Sequence, residues 1–151
     1  MRELAIEIMV PDRPAAEVYA ILCDFERYPH HTPEVRSVTR ETSDGEHFST
    51  WETTFRDGIL RWRERDSFDP VTNTIGFEQT DGDIEHFSGW WKIDGENGSS
   101  SVRFNAKFDM GIPSLSDIIE PIAEQALRDN IVAILRGLFG PQVVVVQPAA
   151  G

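Results

Sequence analysis

Six short segments of alternating apolar and polar residues are followed by one long amphipathic segment, and that order leaves few folds open. The short segments span 35–42, 47–56, 59–68, 74–79, 84–93 and 100–110. Asp, Gly or Pro closes each hairpin, at Asp44-Gly45, Asp57-Gly58, Asp69-Pro70, Asp81-Gly82 and Asp94-Gly95 through Gly98. The long segment, about 116–138, carries an apolar stripe of Ile119, Ile122, Ala126, Leu127, Ile131, Ile134, Leu135 and Leu138. One helix is too narrow to fill the concave face of a curved sheet of six or seven strands. The space left over is a cavity, and function is expected there.

The first strand covers 2–10, with Leu4, Ile6 and Ile8 on its apolar face. Pro11-Asp12-Arg13-Pro14 breaks it, with Asp12 as a helix cap and Pro14 in the first turn. Val18, Ile21, Leu22 and Phe25 place a helix over 14–25, and a short turn through 32–34 follows. Ser114 or Ser116 is a candidate cap for the long helix, and Gly137 and Gly140-Pro141 are expected to end it. The layout is α+β, with one domain over 1–140 and a Val-rich tail over 141–151. Val143 to Val146 leaves three uses open: an added strand, cover for a neighbouring element, or a homodimer contact. Residues 148–151 are expected to be disordered.

Composition narrows the partners. The formal net charge of −12 opposes binding to nucleic acid or to an anionic membrane surface. No run approaches the length of a membrane span. The single cysteine, Cys23, rules out an internal disulfide and fits a reducing cytoplasm. Met1-Arg2-Glu3-Leu4 runs directly into a strand without a secretion-signal pattern, so a cytoplasmic location is expected. The chain has no Gly-rich phosphate loop, no G-x-S-x-G elbow and no CxxC, and no cofactor is expected. His30, His31, His47 and His86 lack metal-ligand spacing, so no metal is expected.

Strand parity picks out the candidate chemistry. Leu60, Trp62 and Phe68 share one face of the 59–68 strand, so Glu64 and Asp66 share it too. Carboxyls on an apolar inner face are either a wet rim or buried acids whose raised pKa suits proton transfer. Arg61, Arg63 and Arg65 point the other way. They form either a face paired with neighbouring acids or a dock for an acidic carrier protein or a phosphopantetheine phosphate. Asn130 lies on the helix stripe, either bonded to nearby backbone or orienting a ligand oxygen. Trp51, Phe55, Trp62, Phe87, Trp91, Phe104 and Phe108 fall on inner faces, where large flat rings suit a planar or extended ligand.

Four segments carry a resemblance across nearly the whole chain. Asp24-Phe25-Glu26-Arg27-Tyr28-Pro29 is similar to the D-(I/V)-E-x-(W/Y)-P segment of bacterial polyketide aromatase/cyclases of the tetracenomycin type. Phe87-Ser88-Gly89-Trp90-Trp91 resembles their strand with a Trp facing the pocket, and Phe108-Asp109-Met110 the end of their last strand. Arg128-Asp129-Asn130 resembles an R-x-N in their C-terminal helix. The resemblance implies a START-like helix-grip (SRPBCC) fold: a curved antiparallel sheet wrapped around a long C-terminal helix, with two short helices after the first strand. It implies aldol cyclisation and dehydration of a carrier-bound poly-β-ketone, with an acyl carrier protein as partner. Tyr28 would sit at the pocket mouth and bond substrate, and Asn130 would face the pocket. The family's inward arginine has no counterpart under the parity above, since Asp66 stands there. The same pattern is shared by non-enzymatic carriers of quinones or lipids, which need no inward carboxyls.

Overall fold

A computed structural model describes residues 1–56 and 58–146. The strands are β1 (Arg2–Val10), β2 (Val35–Ser43), β3 (Glu46–Phe55), β4 (Gly58–Asp69), β5 (Thr74–Gly82), β6 (His86–Glu96), β7 (Ser99–Asp109) and β8 (Val144–Val146). Helices α1 (Ala15–Cys23) and α2 (Tyr28–His31) follow β1, separated by a 3-10 turn at Phe25–Arg27, and α3 spans Ser116–Phe139. The sheet runs β2-β3-β4-β5-β6-β7-β1-β8 and is antiparallel throughout. This is the expected helix-grip arrangement with one strand more than the six or seven anticipated.

The extra strand is the valine tail. Val144, Val145 and Val146 pair with Met9, Ile8 and Glu7. The edge of β1 would otherwise present unpaired backbone groups, and β-branched residues fit a pleated ladder. Val143 is buried in the core and Val145 packs against it. The domain therefore continues past residue 140, and the tail belongs to this chain's own sheet. Residues 148–151, expected to be disordered, lie outside the described residues.

Several element ends differ from expectation. Asp12 does not cap α1; it takes a left-handed turn conformation (φ 58°), and Pro14 is the residue before the helix, with no side-chain cap. The helix stops at Cys23 instead of running to Phe25. Neither Ser114 nor Ser116 occupies the cap position of α3, which is Leu115. Pro121 lies inside α3 and withholds one backbone donor from its first turns. The apolar stripe is buried only from Ala123 onward, and Ile122 is 44% exposed. The Asp44-Gly45 and Asn97-Gly98 hairpins take positive φ at both residues (52° and 79°, 52° and 83°), as tight turns between twisted strands require.

Gly137 does not end α3, which continues to Phe139 and stops at Gly140 (φ 100°). Its role is steric. A β-carbon at Gly137 would lie 2.4 Å from the His31 carbonyl oxygen and 3.0 Å from Thr32 Cβ, because the turn after α2 rests on the helix. Alanine gains about 1 kcal/mol in helix propensity over glycine, but that gain is smaller than the cost of pushing a packed backbone aside. Gly137→Ala is expected to destabilise the protein by about 1–3 kcal/mol, read as a lower urea midpoint at unchanged slope.

Candidate active site

The inner face of the β3–β4 hairpin carries a ladder of facing pairs. Register sets Trp51 opposite Trp62, Ser49 opposite Glu64 and His47 opposite Asp66. The two indoles stack in parallel planes with centroids 5.7 Å apart. Each N–H finds an acceptor two residues along its own strand. Trp62 Nε1 donates to Glu64 Oε1 at 2.6 Å, and Trp51 Nε1 donates to Ser49 Oγ at 2.8 Å. Ser49 in turn donates to Asp66 Oδ2 at 2.6 Å. Glu64 and Asp66 are 4% and 5% exposed, so both acids are buried and neither belongs to a wet rim.

Burial raises the Glu64 carboxyl well above the ordinary range, and the neighbouring Asp66 raises it further. Asp66 is also raised by burial, against the pull of hydrogen bonds from Glu64 and Ser49 and the charges of Arg40 and His47. Asp66 Oδ1 has no conventional donor among the described residues. A carboxylic proton on Glu64 supplies one, and the two groups lie within hydrogen-bond reach of each other. Burial and Asp66 both push Glu64 toward its protonated form, while Arg40 and His47 draw Asp66 toward carboxylate.

Glu64 opens onto a cavity closed by α3. The wall includes Trp51, Phe55, Trp62, Phe87, Trp91 and Phe104, together with Phe25, Phe77, Thr53, Leu127, Asn130 and Ile131. Phe108 is fully buried but does not line it. The cavity is real but much smaller than a half-filled concave sheet suggests, about 60 Å³. A cavity that takes up benzene is about 150 Å³. The aromatic rings fill the rest: Trp91 and Phe104 lie 4.6 Å apart, Phe77 and Phe87 5.1 Å, and Trp62 meets Phe87 edge-on at 5.5 Å. A larger groove of about 810 Å³ runs along the outer side of α3 beside β1 and β8, but it is open to solvent and holds neither buried acid.

The remaining candidates fall into place around this cavity. Asn130 Nδ2 donates to the Thr54 carbonyl at 2.8 Å, which fixes the amide with its oxygen as the acceptor still available. Its side chain both latches α3 to the end of β3 and lines the cavity. Tyr28 lines the wall too, but it is 1% exposed and its hydroxyl donates to the Leu22 carbonyl at 2.6 Å. The expectation of a mouth residue with a free hydroxyl is corrected on that ground. Arg128 faces away from the cavity, bonding the Ala5 carbonyl at 3.4 Å and lying 3.8 Å from Glu124, which also holds Arg2 at 2.8 Å. These contacts tie α3 to β1. Arg61, Arg63 and Arg65 project outward, each beside a glutamate: Glu52 at 3.7 Å, Glu41 at 2.7 Å and Glu46 at 3.5 Å. Arg63 also lies 4.0 Å from the Phe48 ring centre.

Sequence reasoning passed over Ser49 and Phe77. Phe77 shares parity with Ile75, which would have placed it inward. Ser49 shares parity with Trp51, but a lone serine carries no sign of its hydrogen bonds. His30 and His31 are exposed on α2. No group of three metal-ligating side chains occurs among the described residues, nor does a helix long and apolar enough to cross a membrane.

A raised carboxyl pKa means that the native state keeps a proton which the unfolded chain releases near pH 4.3. Its contribution to stability is full below that pH and is lost as pH rises toward the native pKa. Unfolding free energy should fall by about 1.4 kcal/mol per pH unit across that window for one retained proton. Glu64→Gln keeps a donor for Asp66 and an acceptor for Trp62 but cannot titrate. Its denaturation midpoints, measured from pH 5 to 9, should be nearly flat where wild type declines.

The fold and site can be set beside known proteins. No curated protein matches the sequence. Among solved structures, TTHA0849 from Thermus thermophilus superposes with a TM-score of 0.82 at 22% identity, covering 91% of this chain and 94% of that one. Zhui aromatase/cyclase from Streptomyces sp. R1128 gives 0.77 at 20% identity, with 92% of each chain covered. A START superfamily protein from Mycobacterium smegmatis gives 0.75 at 17% identity, covering 91% of this chain and 96% of that one. At these identities the likeness concerns the fold. The pattern of the family described as "Polyketide cyclase / dehydrase and lipid transport" matches residues 11–135. The matched span is most of the chain, and with the helix-grip fold around it the protein belongs to that polyketide cyclase/dehydrase and lipid transport family.

Proposed function

We propose that the protein is a cofactor-independent cyclase/dehydratase acting on a compact β-polyketone inside the α3-closed cavity. One observation carries this reading: a buried, proton-bearing carboxyl, Glu64, faces a wall that is otherwise almost wholly aromatic and aliphatic. A carrier of quinones or lipids gains nothing from such a group and bears its desolvation cost. An enzyme that moves protons between carbon and oxygen gains a carboxyl that burial holds toward its protonated form. Glu64 would protonate the oxygen of an aldol or of a departing hydroxyl, and as carboxylate would take the acidic proton between two carbonyls. The Asn130 amide stands on the closing helix, where it would orient a ligand enol or carboxylic hydroxyl through its free oxygen. Trp62, Trp91 and Phe87 would flatten the folded chain against the sheet and exclude water, so that positioning selects the ring closed.

A guest of benzene size or more would need the lining rings and α3 to give way, because the cavity's volume of about 60 Å³ is smaller than one that takes up benzene. A short substrate fits this volume better than a long lipid tail. The pairing of Arg61, Arg63 and Arg65 with Glu52, Glu41 and Glu46 supports a free substrate over one delivered by an acidic carrier protein. Linear β-polyketone acids of increasing length, followed by the ultraviolet absorbance of aromatic products, test the reading. Glu64→Gln should lower kcat by about a hundredfold or more, and Asn130→Ala should change the ratio of ring-closure products. Unchanged rates and ratios in both variants would sink the enzyme reading in favour of a carrier.

A further inference from the structure

Only one of the two buried acids reaches the cavity. Glu64 lines it and Asp66 does not. Asp66 lies further along β4, at the end of the inner face where the sheet meets solvent. Its register partner is His47, an exposed residue whose ring meets Phe68 edge-on at 5.5 Å. Opposed side chains on one sheet face have Cβ atoms about 5 Å apart. An imidazole there can serve the carboxyl directly or through one water. Arg40 of β2 covers the same end, its guanidinium 5.2 Å from the Phe68 ring centre and 5.6 Å from that of Phe25, with Nη1 donating to the Cys23 carbonyl at 3.3 Å.

The charges around the pair are one-sided. Facing Asp66 are Arg40 from β2, His47 and the Ser49 hydroxyl from β3, and Glu64 from its own strand. Facing Glu64 are the Trp62 indole N–H, the Ser49 hydroxyl and Asp66, with no cation among the described residues. Tyr28 from α2 feels both acids but holds its proton against the Leu22 carbonyl. Cys23, at the end of α1, bonds Tyr19 and lies near Arg40. A negative charge on the pair therefore rests best on Asp66, and the proton on Glu64, facing the ligand. Once Glu64 gives that proton away, two carboxylates share one buried wall, which is strongly unfavourable.

We infer that Asp66 and His47 form a solvent-side relay behind Glu64 that restores the cavity's proton while α3 stays closed. The inference rests on the reading of Glu64 as the cavity acid. Glu64 transfers its proton to a ligand oxygen, the imidazolium of His47 passes a ring proton to Asp66, and the proton shared by the pair moves to Glu64. His47 recovers a proton from water. The net change is one proton carried from solvent to ligand, with no change of oxidation state. Asp66 and His47 are positioning residues here, since each acts through Glu64.

The test uses ligand-free protein, so it is read independently of turnover. The proton shared by two carboxyls resonates far downfield, and saturation transfer from water measures its exchange. His47→Gln should slow that exchange by roughly a hundredfold, the scale of one positioned acid–base group. Added imidazole should restore it. A resonance seen only in the variant counts as slowing. The Trp51 and Trp62 indole N–H signals confirm that the ladder is intact in the variant. Equal exchange in both proteins, a resonance visible in neither, or slowing that imidazole does not reverse would overturn the relay. Failure of the product assay on Glu64→Gln would instead overturn the enzyme reading and leave the exchange result standing.

Discussion

The site depends on the cost of placing two carboxyls behind aromatic rings. Neither Glu64 nor Asp66 has an arginine in direct contact within the core, so the pair cannot be neutralised by an ion bridge. Burial instead favours a proton on Glu64, and Arg40 and His47 lie on the Asp66 side. The Trp62 indole N–H donates to Glu64 and the Ser49 hydroxyl to Asp66, while the Trp51 N–H orients that hydroxyl by donating to its oxygen. Burial of unmatched charge in a protein interior is otherwise strongly destabilising. Trp62 therefore serves twice, as cavity wall and as a donor to Glu64, and Trp51 supports Asp66 through Ser49. This coupling concentrates the buried polar groups of the sheet on the β3–β4 hairpin.

The other side of the cavity is α3, and it is held at its margins. Glu124 with Arg2 and Arg128 fixes it to β1, and Asn130 fixes it to the end of β3. Between these anchors the contact is apolar and non-directional. Parting helix from sheet breaks few hydrogen bonds, and the rings behind it can rotate into the space released. The helix is thus pinned by polar contacts at its margins and by apolar packing in its middle.

Period-two alternation made the inner faces legible in the sequence. It placed Trp62, Glu64 and Asp66 together on the concave side, and the burial of β4 alternates accordingly. The Asp44-Gly45 and Asn97-Gly98 turns were legible because such pairs carry their own backbone preference, whereas Asp81-Gly82 and Asp94-Gly95, read as turns, lie inside β5 and β6. Hydrogen-bond partners distant in sequence were not. Tyr28 reads as a mouth residue until the Leu22 carbonyl is found beside its hydroxyl. Gly137 reads as a helix stop until the turn after α2 is seen resting on it. Cavity size was also hidden, because it depends on how six or more rings tilt against one another, which no local pattern encodes. The valine tail was open among three uses, and the free edge of β1 decided between them.

That placement of β8 has a consequence for how the protein folds. β1 is flanked by β7 and β8, so both of its edges are satisfied by segments distant in sequence. In folding, β1 has no partner close in sequence and stays unpaired until β7 and β8 reach it. The hairpins β2 to β7 can zip locally in the meantime, so sheet closure is a late, long-range event. Until that closure β1 exposes two unpaired ladders at once, so the step that completes the sheet also removes its most adhesive segment.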